Sequence, residues 1–124
     1  VLEAILSRDL VSRVHRMGER FDKALKDQFS EHAYVGDIRG RGLFRGIELV
    51  ADKVSGSPFA PEKRLAAGIK KAAFEQGLIC YPMSGTRDGV NGDHILLAPP
   101  FIIEDDQIDE VVTKLDTAIS SCLP

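Results

Sequence analysis

Cysteine is scarce in this 124-residue chain and occurs only as Cys80 and Cys122. Their spacing fits neither a CxxC redox motif nor a zinc-ligand pattern. We predict two free thiols, with Cys80 buried as a small hydrophobic side chain. The three histidines are widely spaced and form no ligand cluster. For His94, next to Asp93, we expect a structural hydrogen bond rather than acid–base chemistry, and we predict no metal site.

Long hydrophobic runs and an excess of basic residues are also lacking. No apolar run approaches the ~20 residues that a membrane-spanning helix needs, and no signal peptide is visible. Acids and bases interleave to a net charge of −3, whereas a nucleic-acid-binding domain needs a basic face. The RGRG segment at 39–42 is more typical of a turn between strands than of an RNA-binding tract. We therefore predict a cytoplasmic protein with neither membrane nor nucleic-acid partners.

The composition that is present is typical of one soluble globular domain. Hydrophobic residues make up 44% of the chain and charged residues 28%, which are ordinary fractions. A chain of this length can bury one core, and it contains no internal repeat and no linker. We interpret residues 1–124 as a single domain. The opening VLEAIL resembles the tail of a helix, so we expect the chain to be part of a longer protein.

Hydrophobic periodicity predicts seven main elements after that tail. Asp9 is the expected N-cap of the first helix. Pro61 is a favoured first residue for the second helix, and Gly77 is expected to end that helix. Polar loops are predicted at 52–60 and 82–92. The expected helices are 9–31, 61–76 and 104–122, and the expected strands are 34–39, 43–51, 78–81 and 94–98. The order α-β-β-α-β-β-α predicts an α+β fold, a two-layer sandwich in which helices cover one face of a small antiparallel or mixed sheet.

The segment from Gly92 to Glu110, GDHILLAPPFIIEDDQIDE, is the most informative part of the chain. A Gly-Asp turn precedes a short apolar strand. Pro99 and Pro100 then stop the strand, because proline donates no N–H. Three acids follow where a helix N-terminus favours negative charge, although Glu104 is a weak capping residue. The segment predicts a strand, a rigid corner and a closing helix.

A second segment, YVGDIRGRGLFRGIELVADK from Tyr34 to Lys53, contains glycines that permit turns, bulges and close backbone approaches. Together the two segments resemble the C-terminal part of class III, omega-type aminotransferases, which use pyridoxal phosphate (PLP). Members carry an RG-x-GL segment before an apolar strand, which Arg39, Gly40, Gly42, Leu43 and Glu48 match here. They also carry a Gly-Asp strand that ends in Pro-Pro before the last helix. The resemblance implies the small domain of a fold-type I PLP-dependent transferase.

The resemblance also implies what this chain does not carry. In the family, the lysine that binds PLP and most cofactor contacts lie upstream, in a large domain. None of the seven lysines here stands in a similar motif. We therefore expect no catalytic, cofactor-binding or metal residue in this chain, and no PLP bound to it alone. The full-length protein is expected to be a homodimer that uses PLP, an amino donor and a 2-oxo acid acceptor.

Arg87 is the one candidate substrate-binding residue. It is the only arginine of the loop 82–92, and a planar guanidinium suits a carboxylate. In omega-type relatives, an arginine before this Gly-Asp binds the substrate carboxylate and swings out for substrates without one. Arg87 lies five residues before Gly92, and an exposed arginine paired with Asp88 or solvent is the competing interpretation. Ornithine-type members place their arginine where this chain has Leu96, so the last strand supplies no such group.

Two other classes of protein remain open at this point. A free-standing α+β ligand-binding or regulatory module is compatible with the length of the chain and with the missing lysine motif. A structural oligomerisation domain has no sequence feature of its own. The helical opening of the chain favours the aminotransferase fragment over both.

Overall fold

The computed structural model describes all 124 residues. Two helices come first, α1 (Leu2–Ser7) and α2 (Leu10–Phe29), followed by a pair of strands, β1 (Val35–Arg41) and β2 (Phe44–Leu49). A short 3₁₀ turn at Pro61–Lys63 leads into α3 (Leu65–Glu75). The chain ends with β3 (Tyr81–Ser84), β4 (Asp93–Leu97) and α4 (Asp105–Cys122). The predicted α+β element order is confirmed.

The four strands form one antiparallel sheet in the order β1-β2-β4-β3. Burial alternates along β2 and β4, as expected for strands with one covered face. Ile47, Leu49, Ile95 and Leu97 point into a 20-residue core that also contains the apolar sides of α2, α3 and α4. The long helices therefore cover one face of the sheet, which confirms the two-layer prediction and selects the antiparallel alternative.

The closing helix α4 docks through a stripe of buried residues. Ile108, Leu115 and Ile119 are completely buried, and Val112 is nearly so. Val111, an apolar residue beside this stripe, is only partly buried at its edge. The N-terminus of α4 is better capped than Glu104 alone suggests, because the Gln107 Oε1 accepts a hydrogen bond from the Glu104 N–H at 3.0 Å.

A buried guanidinium joins α2 to the β1–β2 hairpin. Arg45 is 8% exposed and donates to the carbonyls of Gly18, Gly40 and Gly42 at 2.9, 3.1 and 2.9 Å. It also pairs with the Asp22 carboxylate at 2.9 Å. A Cβ on Gly18 would lie 2.5 Å from the Gly42 carbonyl carbon, so the helix and the turn touch backbone to backbone.

Three sequence predictions need correction. The third strand is Tyr81–Ser84 rather than 78–81, and it includes Pro82, which an edge strand tolerates. Asp9 occupies the N-cap position with φ +45° and makes no side-chain cap bond; its carboxylate accepts from the Ser12 hydroxyl at 2.9 Å instead. Pro61 opens the 3₁₀ turn, and α3 itself begins at Leu65.

Candidate functional site

The sheet face opposite the helices, which we call the open face, carries the candidate site. Strand register places two rows of side chains across it. One row runs Asp37, Glu48, His94 and Met83, and the next runs Arg39, Gly46, Leu96 and Tyr81. The β1–β2 half of the open face is charged, whereas the β4–β3 half is mainly apolar. Such a face can contact an ion and an apolar group side by side.

Gly46 leaves a depression near the middle of the open face. Because glycine has no side chain, the nearest side-chain atom to a Cβ built there is the Leu96 Cδ2, at 3.6 Å. The depression has a volume of about 170 Å³ and is bordered by Arg39, Glu48, Thr86, His94 and Leu96. Its wall thus combines charged, hydroxyl, imidazole and aliphatic groups.

The loop that follows β3 closes on itself before β4 begins. The Thr86 N–H donates to the Gly92 carbonyl at 3.2 Å, and the Arg87 N–H donates to the Asn91 carbonyl at 3.0 Å. The Asp88 carboxylate accepts from the backbone N–H groups of Val90 and Asn91 and from the Asn91 side chain. These hydrogen bonds lower the pKa of Asp88 to about 2, and the one from the Asn91 side chain has the largest effect. The loop is therefore an ordered turn that presents the Arg87 side chain.

Arg87 reaches from this loop onto the open face. Its Nη2 lies 3.2 Å from the Glu48 Oε1 and also donates to the carbonyl of Gly56, in the loop after β2. A Cβ on Gly92 would lie 3.1 Å from the Arg87 Cγ, so this glycine leaves room for the arginine stem. The side chain remains 41% exposed. Arg87 forms no ion pair with Asp88, whose carboxylate is engaged within its own turn.

Glu48 receives two guanidinium groups on its two oxygens. Arg87 lies at 3.2 Å from Oε1, and the Arg39 Nη1 lies at 3.4 Å from Oε2. Arg39 pairs more closely with Asp37, and that hydrogen bond is the main reason that the pKa of Arg39 is raised. Sequence analysis assigned Arg39 and Glu48 to a family motif but did not identify them as neighbours of Arg87. Glu48 and Arg87 are 39 positions apart in the sequence, and no pattern between them signals this contact.

His94 makes the structural hydrogen bond expected of it, and its partner is in the loop. Its Nδ1 lies 2.6 Å from the Thr86 Oγ1, which fixes the start of the loop beside β4. The neighbouring Asp93 points to the other face, where it is 6% exposed. Burial raises the pKa of Asp93, partly offset by a hydrogen bond with the Ala66 N–H in the first turn of α3.

The lysines lie away from the open face. Four lysines on the helices form ion pairs, and their partners are Asp22, Asp27, Glu75 and Glu110. Lys53 donates to backbone carbonyls, and Lys63 lies over the Phe59 ring. No lysine borders the depression at Gly46. This depression therefore offers no lysine amine to which PLP could attach.

The structure contains neither a cluster of metal-ligand side chains nor a membrane-spanning helix. No three or more His, Cys, Asp or Glu side chains are grouped so that they could hold a metal ion. No helix combines the length and the apolar character that crossing a membrane requires. Cys80 and Cys122 are both free thiols, as predicted, and burial raises the pKa of Cys80.

The α+β arrangement of this domain is shared with solved aminotransferase structures. The family profile described as aminotransferase class-III matches residues 1–119. An uncharacterized aminotransferase of Schizosaccharomyces pombe is 46% identical over 121 residues, which is 97% of this chain and 26% of that protein. The chain belongs to the class III aminotransferase family.

Solved structures agree with this assignment. A Bacillus anthracis aminotransferase superposes with a TM-score of 0.86 at 38% identity, over 97% of this chain and 26% of the other. An (S)-enantioselective omega-transaminase from Thermomicrobium roseum gives a TM-score of 0.86 at 29% identity, over 99% of this chain and 25% of the other. The chain thus spans about a quarter of the length of the relatives it matches.

Proposed function

We propose that this chain is the C-terminal small domain of a longer, PLP-dependent class III aminotransferase. That enzyme transfers an amino group between an amine or amino acid and a 2-oxo acid. The proposal is supported by the family membership and by a match to only a quarter of each relative. A homodimer and a cytoplasmic location are part of the proposal; the resemblance supports the first, and the two free thiols suit the second.

The chemistry of PLP would be supplied by the remainder of the full-length protein. PLP acts as the electron sink of amino-group transfer, while the protein supplies binding, orientation and electrostatics. The lysines of this chain lie on helices or between β2 and α3, four of them in surface ion pairs, and none borders the depression on the open face. We therefore expect the isolated 124-residue chain to be inactive.

Within the full-length enzyme, we propose that Arg87 binds the substrate carboxylate. The observation that carries this role is the position of its guanidinium, which is extended over the open face and still 41% exposed. Its present partners are the Glu48 carboxylate and one backbone carbonyl. A partly exposed ion pair is weak, at about 0–1 kcal/mol, so a substrate carboxylate can replace it. The planar guanidinium can then donate two parallel hydrogen bonds to the substrate carboxylate.

The test is single-turnover kinetics of both half-reactions in the full-length enzyme. Arg87→Ala should lower kcat/KM for carboxylate-bearing substrates such as pyruvate by an amount equivalent to about 1.5–3 kcal/mol, the value of a hydrogen bond to a charged group. A simple alkyl or aryl amine offers no anion, so its half-reaction should change far less. Arg87→Lys should restore little, because an ammonium keeps the charge but loses the fork.

Two results would contradict this role. Equal losses for the acid and the amine would show that Arg87 maintains the loop rather than binding substrate. An unchanged kcat/KM for both substrates would leave Arg87 as a surface residue, and the carboxylate partner would have to lie in the remainder of the enzyme.

A further inference from the structure

We propose that Glu48 is a specificity-determining residue, because its carboxylate competes with the substrate carboxylate for Arg87. This inference rests on the proposed function of Arg87. The ligand class concerned is the carboxylate-bearing amino acid or 2-oxo acid, as opposed to a simple amine. Glu48 would set how strongly the enzyme prefers the first class over the second.

The geometry shows a pairing that can be exchanged. Only the Nη2 of Arg87 is engaged, by the Glu48 Oε1 at 3.2 Å and by the Gly56 carbonyl. The pairing is therefore not the bidentate form that makes arginine–carboxylate contacts strong. An incoming carboxylate that meets the guanidinium through two nitrogens would make a better contact than the one it displaces.

Arg39 keeps the Glu48 carboxylate paired when Arg87 changes its partner. Once Arg87 leaves, the Glu48 Oε2 still has the Arg39 Nη1 at 3.4 Å. Glu48 is 20% exposed at its side chain, and a partly buried carboxylate without a partner would be costly. Because Arg39 remains in place, that cost does not arise. The two arginines thus have different tasks, since one stays with Glu48 while the other is free to turn to a substrate.

The Arg87 stem also allows a change of partner. It leaves an ordered turn, closed by the Arg87 N–H to Asn91 carbonyl bond at 3.0 Å, and it passes over Gly92. The backbone origin of the side chain is therefore fixed while its tip lies partly in solvent. Rotation about side-chain bonds can move the guanidinium without opening the loop.

The experiment uses Glu48→Gln in the full-length PLP-loaded enzyme. Glutamine keeps the size and one acceptor oxygen but removes the competing charge. We expect KM for pyruvate or L-alanine to fall about two- to fivefold, the scale of a partly exposed ion pair. The ratio of kcat/KM for the acid to that for a simple alkyl amine should rise by the same factor. In an Arg87→Ala background, Glu48→Gln should have no such effect on this ratio.

Glu110→Gln is the matched control. It makes the same substitution in another ion pair, Glu110 with Lys114 at 2.5 Å on α4, away from the open face, and should leave the acid-to-amine ratio unchanged. Arg39→Gln should act in the opposite direction to Glu48→Gln, because Glu48 would then depend on Arg87 alone. A general structural defect would not raise the ratio in one variant and lower it in the other.

The outcomes separate this inference from the function on which it rests. If Arg87→Ala selectively impairs acids but Glu48→Gln leaves the ratio unchanged, the competition is refuted and the role of Arg87 stands. If Glu48→Gln lowers activity toward acid and amine alike, Glu48 is structural and the inference is wrong. If Arg87→Ala has no selective effect, both proposals fail.

Discussion

The Arg45 guanidinium and the Asp22 carboxylate lie 2.9 Å apart, with side-chain exposures of 10% and 22%. The pair joins α2 to the β1–β2 hairpin at the point where Gly18 and Gly42 meet. The other hydrogen bonds of Arg45 go to backbone carbonyls. Arg45 therefore holds in place the hairpin that carries Arg39 and Glu48 on its opposite face.

Replacing Arg45 with methionine should cost about 3–5 kcal/mol of unfolding free energy, because each buried acceptor left without its donor costs about 1–3 kcal/mol. The change leaves three glycine carbonyls without their donor. Asp22→Asn is the matched variant and should cost much less, because Arg45 keeps the three carbonyls and the amide retains an acceptor oxygen. Urea unfolding of the chain measures both values. Similar losses for the two variants would show that the ion pair, not the carbonyl contacts, dominates.

Leu115→Ala should destabilise the domain by about 2–5 kcal/mol, since Leu115 is completely buried in the core. Val111 is one turn earlier but only partly buried, so Val111→Ala should lose less than half as much. Denaturant unfolding of the two variants at one pH gives the comparison. Surface substitutions usually change the unfolding free energy by less than about 0.5 kcal/mol. A loss that small for Leu115→Ala would mean that α4 packs through a different side.

The Asp88 turn should lose stability in acid. The pKa of Asp88 is about 2 in the folded chain, below the ordinary unfolded value, so its carboxylate stabilises the folded state above about pH 4. That contribution is lost as the pH falls through the folded pKa. Asp88→Asn cannot titrate, so the gap in urea midpoint between wild type and variant should narrow from pH 5 to pH 2. A constant gap would show that the charge of Asp88 does not contribute.

The isolated chain should form no specific adduct with PLP. Its lysines are surface groups, which react weakly and heterogeneously. The check is to mix the chain with PLP, reduce with borohydride, remove the excess and map modified lysines by mass spectrometry. Stoichiometric modification of one lysine would overturn the proposal that the cofactor site lies elsewhere in the full-length protein.

The parts of the fold that were predictable are those with strong local patterns. Apolar residues at helical spacing after the Pro99–Pro100 corner predict α4. Short apolar runs predict β2 and β4. The strand β3 was misplaced because its apolar signal lies at 78–80, whereas pairing with β4 begins at Tyr81 and includes Pro82. Only the antiparallel partner decides that register.

The candidate site was predictable only in part. Arg87 stood out because it is the single arginine of a glycine-rich loop. Its contact with Glu48 could not be predicted, because it depends on β2 lying beside β4 and on the length of an arginine side chain. Arg45 lies within the predicted strand 43–51 with no sequence feature to mark it, and only the close approach of α2 makes it a buried residue. The Arg87–Glu48 contact and the burial of Arg45 both depend on contacts between segments that are distant in sequence.

The sheet ends in two free edges, and each is built to discourage strand addition. On β3, Pro82 lacks the N–H that a further strand would need. On β1, the register shifts between Val35 and Asp37, and charged side chains follow at Asp37, Arg39 and Arg41. Bulges, prolines and edge charges are the means by which proteins avoid edge-to-edge aggregation. Self-association of this domain by continuing its sheet is therefore disfavoured.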